Sequence, residues 1–160
     1  MVNLEILFEN DGWAPVRAFD SMARRAVMAA LEVAGIGNNY LTELCVRLTG
    51  NDEMAALNRT WRNKDGATNV LAFPATDGPL VADAPWLLGD VILAFRVVAG
   101  EAQSQGKSLV AHTCHLIIHA TLHLLGHDHE NRRSADIMEA LEIAALATIG
   151  LPNPYERFPA

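Results

Sequence analysis

The sequence predicts an α/β (α+β) fold: one roughly four-stranded mixed sheet packed with about five helices, with a metal site on a helix-turn. Three observations predict it. Hydrophobic residues make up 51% of the 160 positions and charged residues 19%, a balance that buries a core rather than leaving the chain disordered. Segments with period-2 alternation interleave with segments of helical apolar spacing, as in a sheet covered by helices. The run HATLHLLGHDH then gathers His119, His123 and His129 around a glycine. The length suits a single domain over residues 1–160.

Each element has its own local reason. Residues 2–9 (VNLEILFE) alternate apolar and polar, which predicts a half-buried strand. From Pro15 to Val33, Val16, Phe19, Met22, Ala23, Val27, Ala30 and Leu31 recur at helical spacing, with Gly35 as the stop. Residues 42–49 (TELCVRLT) predict a second strand, and residues 51–61 a short helix with Asn51 or Asp52 as N-cap. Arg62 to Thr68 is a polar loop, and Val70 to Phe73, closed by Pro74, a short strand. Thr76 to Pro85, with Gly78, Pro79 and Pro85, reads as an excursion loop. Residues 87–94 form the fourth strand, and helices follow at about 95–104, 108–125 and 134–149, the last stopped by Gly150 and Pro152. Helical crossovers favour parallel pairing of the early strands, and the 70–73 and 87–94 pair is expected to be antiparallel. Strand order is not legible.

Composition also excludes. No basic stretch leads into an apolar run at MVNLEILFENDGW, so no signal peptide is read. Ile137 to Leu151 is too short to span a bilayer and is interrupted by Glu139 and Glu142. A cytoplasmic protein with no membrane partner is expected. Two cysteines, Cys45 and Cys114, make no disulfide framework and read as buried thiols. The net charge of −7 argues mildly against a nucleic-acid partner, yet Arg59, Arg62 and Lys64 fall within six positions and can form a local cationic patch.

His119 and His123 stand four apart on a strongly helical segment, so their imidazoles project from one face, one turn apart. That spacing suits two nitrogen ligands on one ion. Gly126 can end the helix in a left-handed conformation and turn the chain back, so that His129 supplies a third nitrogen. Three neutral ligands leave a fourth tetrahedral position open, as in catalytic rather than structural zinc sites. His127 is the rival third ligand, but the chain has barely turned there; a pocket-wall or substrate-contact role suits it better. His115 and His112 lie one and two turns earlier, too far along the axis to join the ion. His115 is expected near the substrate or behind the ligands; for His112 a surface position is at least as much expected as such a contact. The residue after His119 is Ala120, so the general base of the HExxH peptidases is missing.

The run HATLHLLGHDH closely resembles the signature of the YbeY family of bacterial rRNA-maturation endoribonucleases, H-G-x-L-H-L-x-G-Y-D-H. LNRTWRNKDGATNVLAFP (Leu57 to Pro74) resembles the family's second block, and LLGDVIL (Leu87 to Leu93) its L-G-D-I-x-I strand. EAQSQGKS and the closing LPNPYE resemble its connector and tail. The resemblance implies a zinc-dependent, single-strand-specific endoribonuclease that processes the 3′ end of 16S rRNA and serves ribosome quality control, with the small subunit or its assembly factors as partners. It puts one zinc ion per chain on His119, His123 and His129, and the family's active arginine on Arg62. Departures are Ala120 for glycine, His127 for tyrosine and Ala72 for serine; none removes a ligand, but His127 puts the tyrosine's contacts in question.

This implication agrees with the residue chemistry. A guanidinium is planar and permanently charged, suiting Arg62 to a phosphate that gains negative charge as it reacts, beside the metal at His119. Arg59 and Lys64 can hold flanking phosphates. The competing functions are a metal hydrolase of another class, such as a peptidase, and an assembly factor whose zinc is structural. Asp90 and Asp128 are weak candidates for a general base.

Overall fold

Alternation in the first segment becomes β1 (Val2–Phe8), an edge strand that pairs in parallel with β2 (Thr42–Thr49), Leu4 opposite Leu44 and Ile6 opposite Val46. In the computed structural model, residues 2–13, 19–37, 41–75 and 85–156 are described. The crossover is α1 (Phe19–Val33), whose buried stripe of Phe19, Ala23, Val27, Ala30 and Leu31 is the predicted one. Its expected start at Pro15 lies outside the described residues, as does the excursion loop up to residue 84.

After β2 come α2 (Asn51–Leu57) and a wider π-helical turn, Asn58–Arg62. The expected α-helix therefore stops early. Asn58 is buried, its side-chain amide donates to Gly66 O at 2.8 Å, and its carbonyl accepts from Lys64 N at 3.1 Å. With Asn63 left-handed (φ 53°), these bonds fix the turn that carries Arg62. The N-cap is Gly50, with no side-chain hydrogen bond, rather than Asn51 or Asp52. Asp52 and Glu53 in the first turn still complement the helix dipole.

β3 (Val70–Pro74) is antiparallel to β4 (Trp86–Ala94), which is parallel to β2. The sheet order is β1-β2-β4-β3, leaving β3 as the second edge. Three helices follow: α3 (Phe95–Ser104), α4 (Leu109–Leu124) and α5 (Arg132–Thr148). The main core joins α1, α4 and α5 to one sheet face through Leu31, Leu48, Val91, Leu93, Ile117, Ile118, Leu122 and Met138. A smaller core on the other face joins Met54 of α2 to Leu71, Ile92 and Ala94. Helix α4 is buried on most sides, so its histidines are fixed by the core around them.

Cys114 is the expected buried thiol; burial pushes it up to about 12. Cys45 is only half buried, correcting that expectation: it faces the open side of the sheet, beside Asp90 and Glu5, where burial and then those charges push it up to about 11. Asp90 shares that face with Cys45, away from α4, and is withdrawn as a general base.

The β3–β4 pairing depends on Gly89, at a bulge where φ is +134°. A Cβ there would lie 2.0 Å from the Phe73 carbonyl oxygen, which is backbone and cannot swing aside. Gly89→Ala is expected to cost about 2–3 kcal/mol. Its urea midpoint should fall accordingly; an unchanged midpoint would refute this account of the bulge.

Candidate metal centre

The three expected ligands converge. Nε2 of His119 and Nε2 of His123 are 3.1 Å apart, and His129 brings its ring to 5.5 Å from the first and 5.1 Å from the second. One donor nitrogen from each lies within 4.8 Å of the others. Two nitrogens at zinc-ligand distance in a tetrahedron stand roughly 3.3 Å apart, so the observed spacing fits a shared ion. Burial, with His119 and His129 alongside, lowers the His123 pKa and keeps its imidazole in the neutral form a metal needs.

His129 reaches its place through a loop held at both ends. Gly126 is left-handed (φ 99°), and His127 N donates to Leu122 O at 3.0 Å, closing α4 as expected. Beyond the loop, Asn131 caps α5 by accepting from Ser134 N at 2.9 Å.

Behind the ligands stands a carboxylate to which sequence reasoning gave no role. Glu142 on α5 is 1% exposed; one oxygen meets His119 Nδ1 at 3.3 Å, and the other meets His115 Nε2 and accepts from Tyr155 OH at 2.8 Å. Burial alone would raise its pKa, but the hydrogen bonds from His115 and His119 outweigh that and hold it at about 2. An ionised carboxylate only accepts, so His119 must carry its proton on Nδ1 and present the Nε2 lone pair to the other histidines. Burial and the Glu142 charge raise the Tyr155 pKa, keeping that hydroxyl a donor. One signal for Glu142 was present. It lies on the stripe of Met138, Ala145 and Leu146, and a charge on a buried stripe requires a partner from elsewhere in the fold.

The site opens into a cavity of about 770 Å³ lined by His115, His119, His123, His129, Arg62, Tyr155 and the length of β3. Arg62 is exposed and reaches this cavity from the π-turn. His115 combines a cavity wall with a bond to Glu142. Arg59 and Lys64 are exposed on the same segment but are not among the lining residues, nor is His127. Asp128 accepts from Glu130 N in the loop and is not among the residues that line this cavity.

Of its two alternatives, His112 does not take the surface position. It is 4% exposed, and its Nε2 meets Glu101 Oε1 at 3.0 Å. Glu101 also accepts from Asn69 Nδ2 at 3.1 Å, and Asn69 Oδ1 accepts from Val70 N at 2.7 Å. This chain of bonds ties the start of β3 to α3 and α4. Because Asn69 O and Ala75 N bond across to β4, the alternate residues Val70, Ala72 and Pro74 turn their backbone groups to the free edge.

Comparison with known proteins identifies the family. A family model described as Endoribonuclease YbeY matches residues 7–150. Endoribonuclease YbeY of Zymomonas mobilis is 42% identical, with 91% of this chain and 89% of that protein covered. That of Stutzerimonas stutzeri is 44% identical over 97% of this chain and 92% of its own length. The relative from Pseudomonas fluorescens is 52% identical over 71% of this chain and 74% of its own. The solution structure of TM1509 from Thermotoga maritima shares the fold, with a TM-score of 0.54 at 21% identity and 98% of each chain covered.

Proposed function

Because this chain belongs to the YbeY family of endoribonucleases, we propose that it hydrolyses single-stranded RNA in rRNA maturation, at the 3′ end of 16S rRNA, and in ribosome quality control. One zinc ion on His119, His123 and His129 serves the reaction. The observation that carries this reading is the convergence of three histidine nitrogens within 4.8 Å, on a cavity that Arg62 also lines. The implied partners are rRNA and the small subunit or its assembly factors, in the cytoplasm. No described helix is long and apolar enough to cross a membrane.

Each residue has a task in this reading. An ion held by His119, His123 and His129 would supply Lewis acidity toward a phosphoryl oxygen and toward water near pH 7. The imidazoles of His119, His123 and His129 would hold the ion as uncharged nitrogen donors that leave its charge uncancelled. Glu142 keeps the His119 ring oriented, with its proton on the far nitrogen. The Arg62 guanidinium, which lines the same cavity, would offset the negative charge that grows on the phosphate, an effect that counts more in a cavity than in open water. Arg59 and Lys64, outside the cavity, can hold phosphates further along the strand. No glutamate follows His119 to shuttle protons to an amide leaving group, which disfavours peptide hydrolysis.

Chelation is expected to abolish cleavage of a single-stranded RNA, and added zinc to restore it. Arg62→Ala should lower kcat/KM about 10²- to 10³-fold with metal content unchanged, Arg62→Lys by less. Full activity after chelation, or in Arg62→Ala, would sink the reading. If metal raised the melting temperature but no preparation cut RNA, an assembly factor with structural zinc would take its place.

A further inference from the structure

We propose that Trp61 is a stacking platform for an unpaired RNA base at the rim of the metal cavity, a subsite that rests on the RNA-cleaving reading above. Trp61 is 69% exposed, the most exposed large hydrophobic side chain among the described residues. Packing therefore gives little reason for an indole here. By contrast, Trp13 is fully buried, and its Nε1 donates to Thr49 O at 3.0 Å.

Its surroundings point to a ligand with both a π-face and negative charge. The indole meets Phe73 at 6.4 Å with the rings inclined by 63°, an edge contact that orients the indole without stacking on it. Phe73, which the indole meets, and Arg62, which follows Trp61 in sequence, both line the cavity, so Trp61 adjoins two residues of its wall. Arg59 and Lys64, on either side in sequence, are exposed cations on a chain of net charge −7. An aromatic face among cations is the pattern that binds single-stranded nucleic acid: cations follow the phosphates, and the ring stacks on any base. Lateral freedom is small, because the Asn58 bonds to Gly66 and Lys64 fix the π-turn that carries both Trp61 and Arg62. With Arg62 on the reacting phosphate, the indole receives the base of a neighbouring nucleotide. A duplex keeps its bases stacked on one another, so the subsite favours unpaired RNA.

The zinc-loaded protein can be titrated with a single-stranded 2′-O-methyl RNA while tryptophan emission is followed. Quenching is expected in the wild type and should disappear in Trp61→Phe, with affinity kept within a few-fold. Trp61→Ala should weaken binding about 5- to 100-fold and raise KM with little change in kcat. An oligonucleotide with abasic sites should bind wild type and Trp61→Ala alike. Undiminished RNA affinity and KM in Trp61→Ala, or quenching that persists in Trp61→Phe, overturns this inference alone. A wild-type protein that binds no RNA overturns the functional reading with it.

Discussion

Replacing His123 with alanine is expected to strip the metal and cut RNA cleavage by about 10³-fold or more, while the protein stays folded. Two nitrogens would remain, on His119 and on the loop residue His129, and two ligands hold zinc far more weakly than three. The fold should survive because His123 contributes little to it. It is half buried on the last turn of α4, and its close ring contacts are with His119 and His129, not with the apolar core. Its removal leaves no buried charge unpaired, since burial already favours the neutral imidazole. A stability loss within about 1 kcal/mol is expected. Metal content, the urea midpoint of the metal-free protein and RNA cleavage, measured on one preparation, check the claim. Full metal retention in His123→Ala would remove this residue from the ligand set.

Glu142→Ala should behave in the opposite way, injuring the fold and the metal site together. This carboxylate receives His115, His119 and Tyr155, and it lies between α4, α5 and the segment after α5. Truncation leaves three polar groups without their acceptor in a buried place, at a cost of about 3 kcal/mol. It also frees the His119 ring to turn and its proton to move to Nε2, which should weaken metal binding 10- to 100-fold. Glu142→Gln keeps the shape and one acceptor oxygen but turns an NH2 group toward a donor, so it should recover only part of both losses. The tests are a denaturant midpoint without metal and a chelator-competition titration with it. A midpoint and an affinity that both match wild type would show that the carboxylate positions nothing.

The candidate ligand set was readable because its geometry is local. His119 and His123 share a helix face by virtue of four-residue spacing, and Gly126 can take the left-handed turn that brings His129 back. The same holds for the four strands and five α-helices among the described residues, whose periods are properties of single segments. Motifs from Leu57 to His129 also carried the family resemblance, which the family match over residues 7–150 bears out.

What failed depended on neighbours distant in sequence. The π-turn arises because Asn58 bonds the loop beyond it, so helical spacing alone predicted an ordinary helix there. For His112 the spacing left a surface position at least as much expected as a contact role, yet α3 brings Glu101 over it. Asp90 looked like a candidate base until the β4 register put it on the face away from α4.

The sequence by itself determined the elements, the three histidines and the family, because periodicity, spacing and a glycine turn act within a few residues. Only the tertiary structure decided that β3 walls the cavity, that Arg62 reaches it while Arg59 and Lys64 do not line it, and that Glu142 sits behind His119. The physical reason is burial. A charge on an apolar stripe is tolerable only if another element brings it hydrogen-bond donors, and which element does so is settled when α4 and α5 pack together.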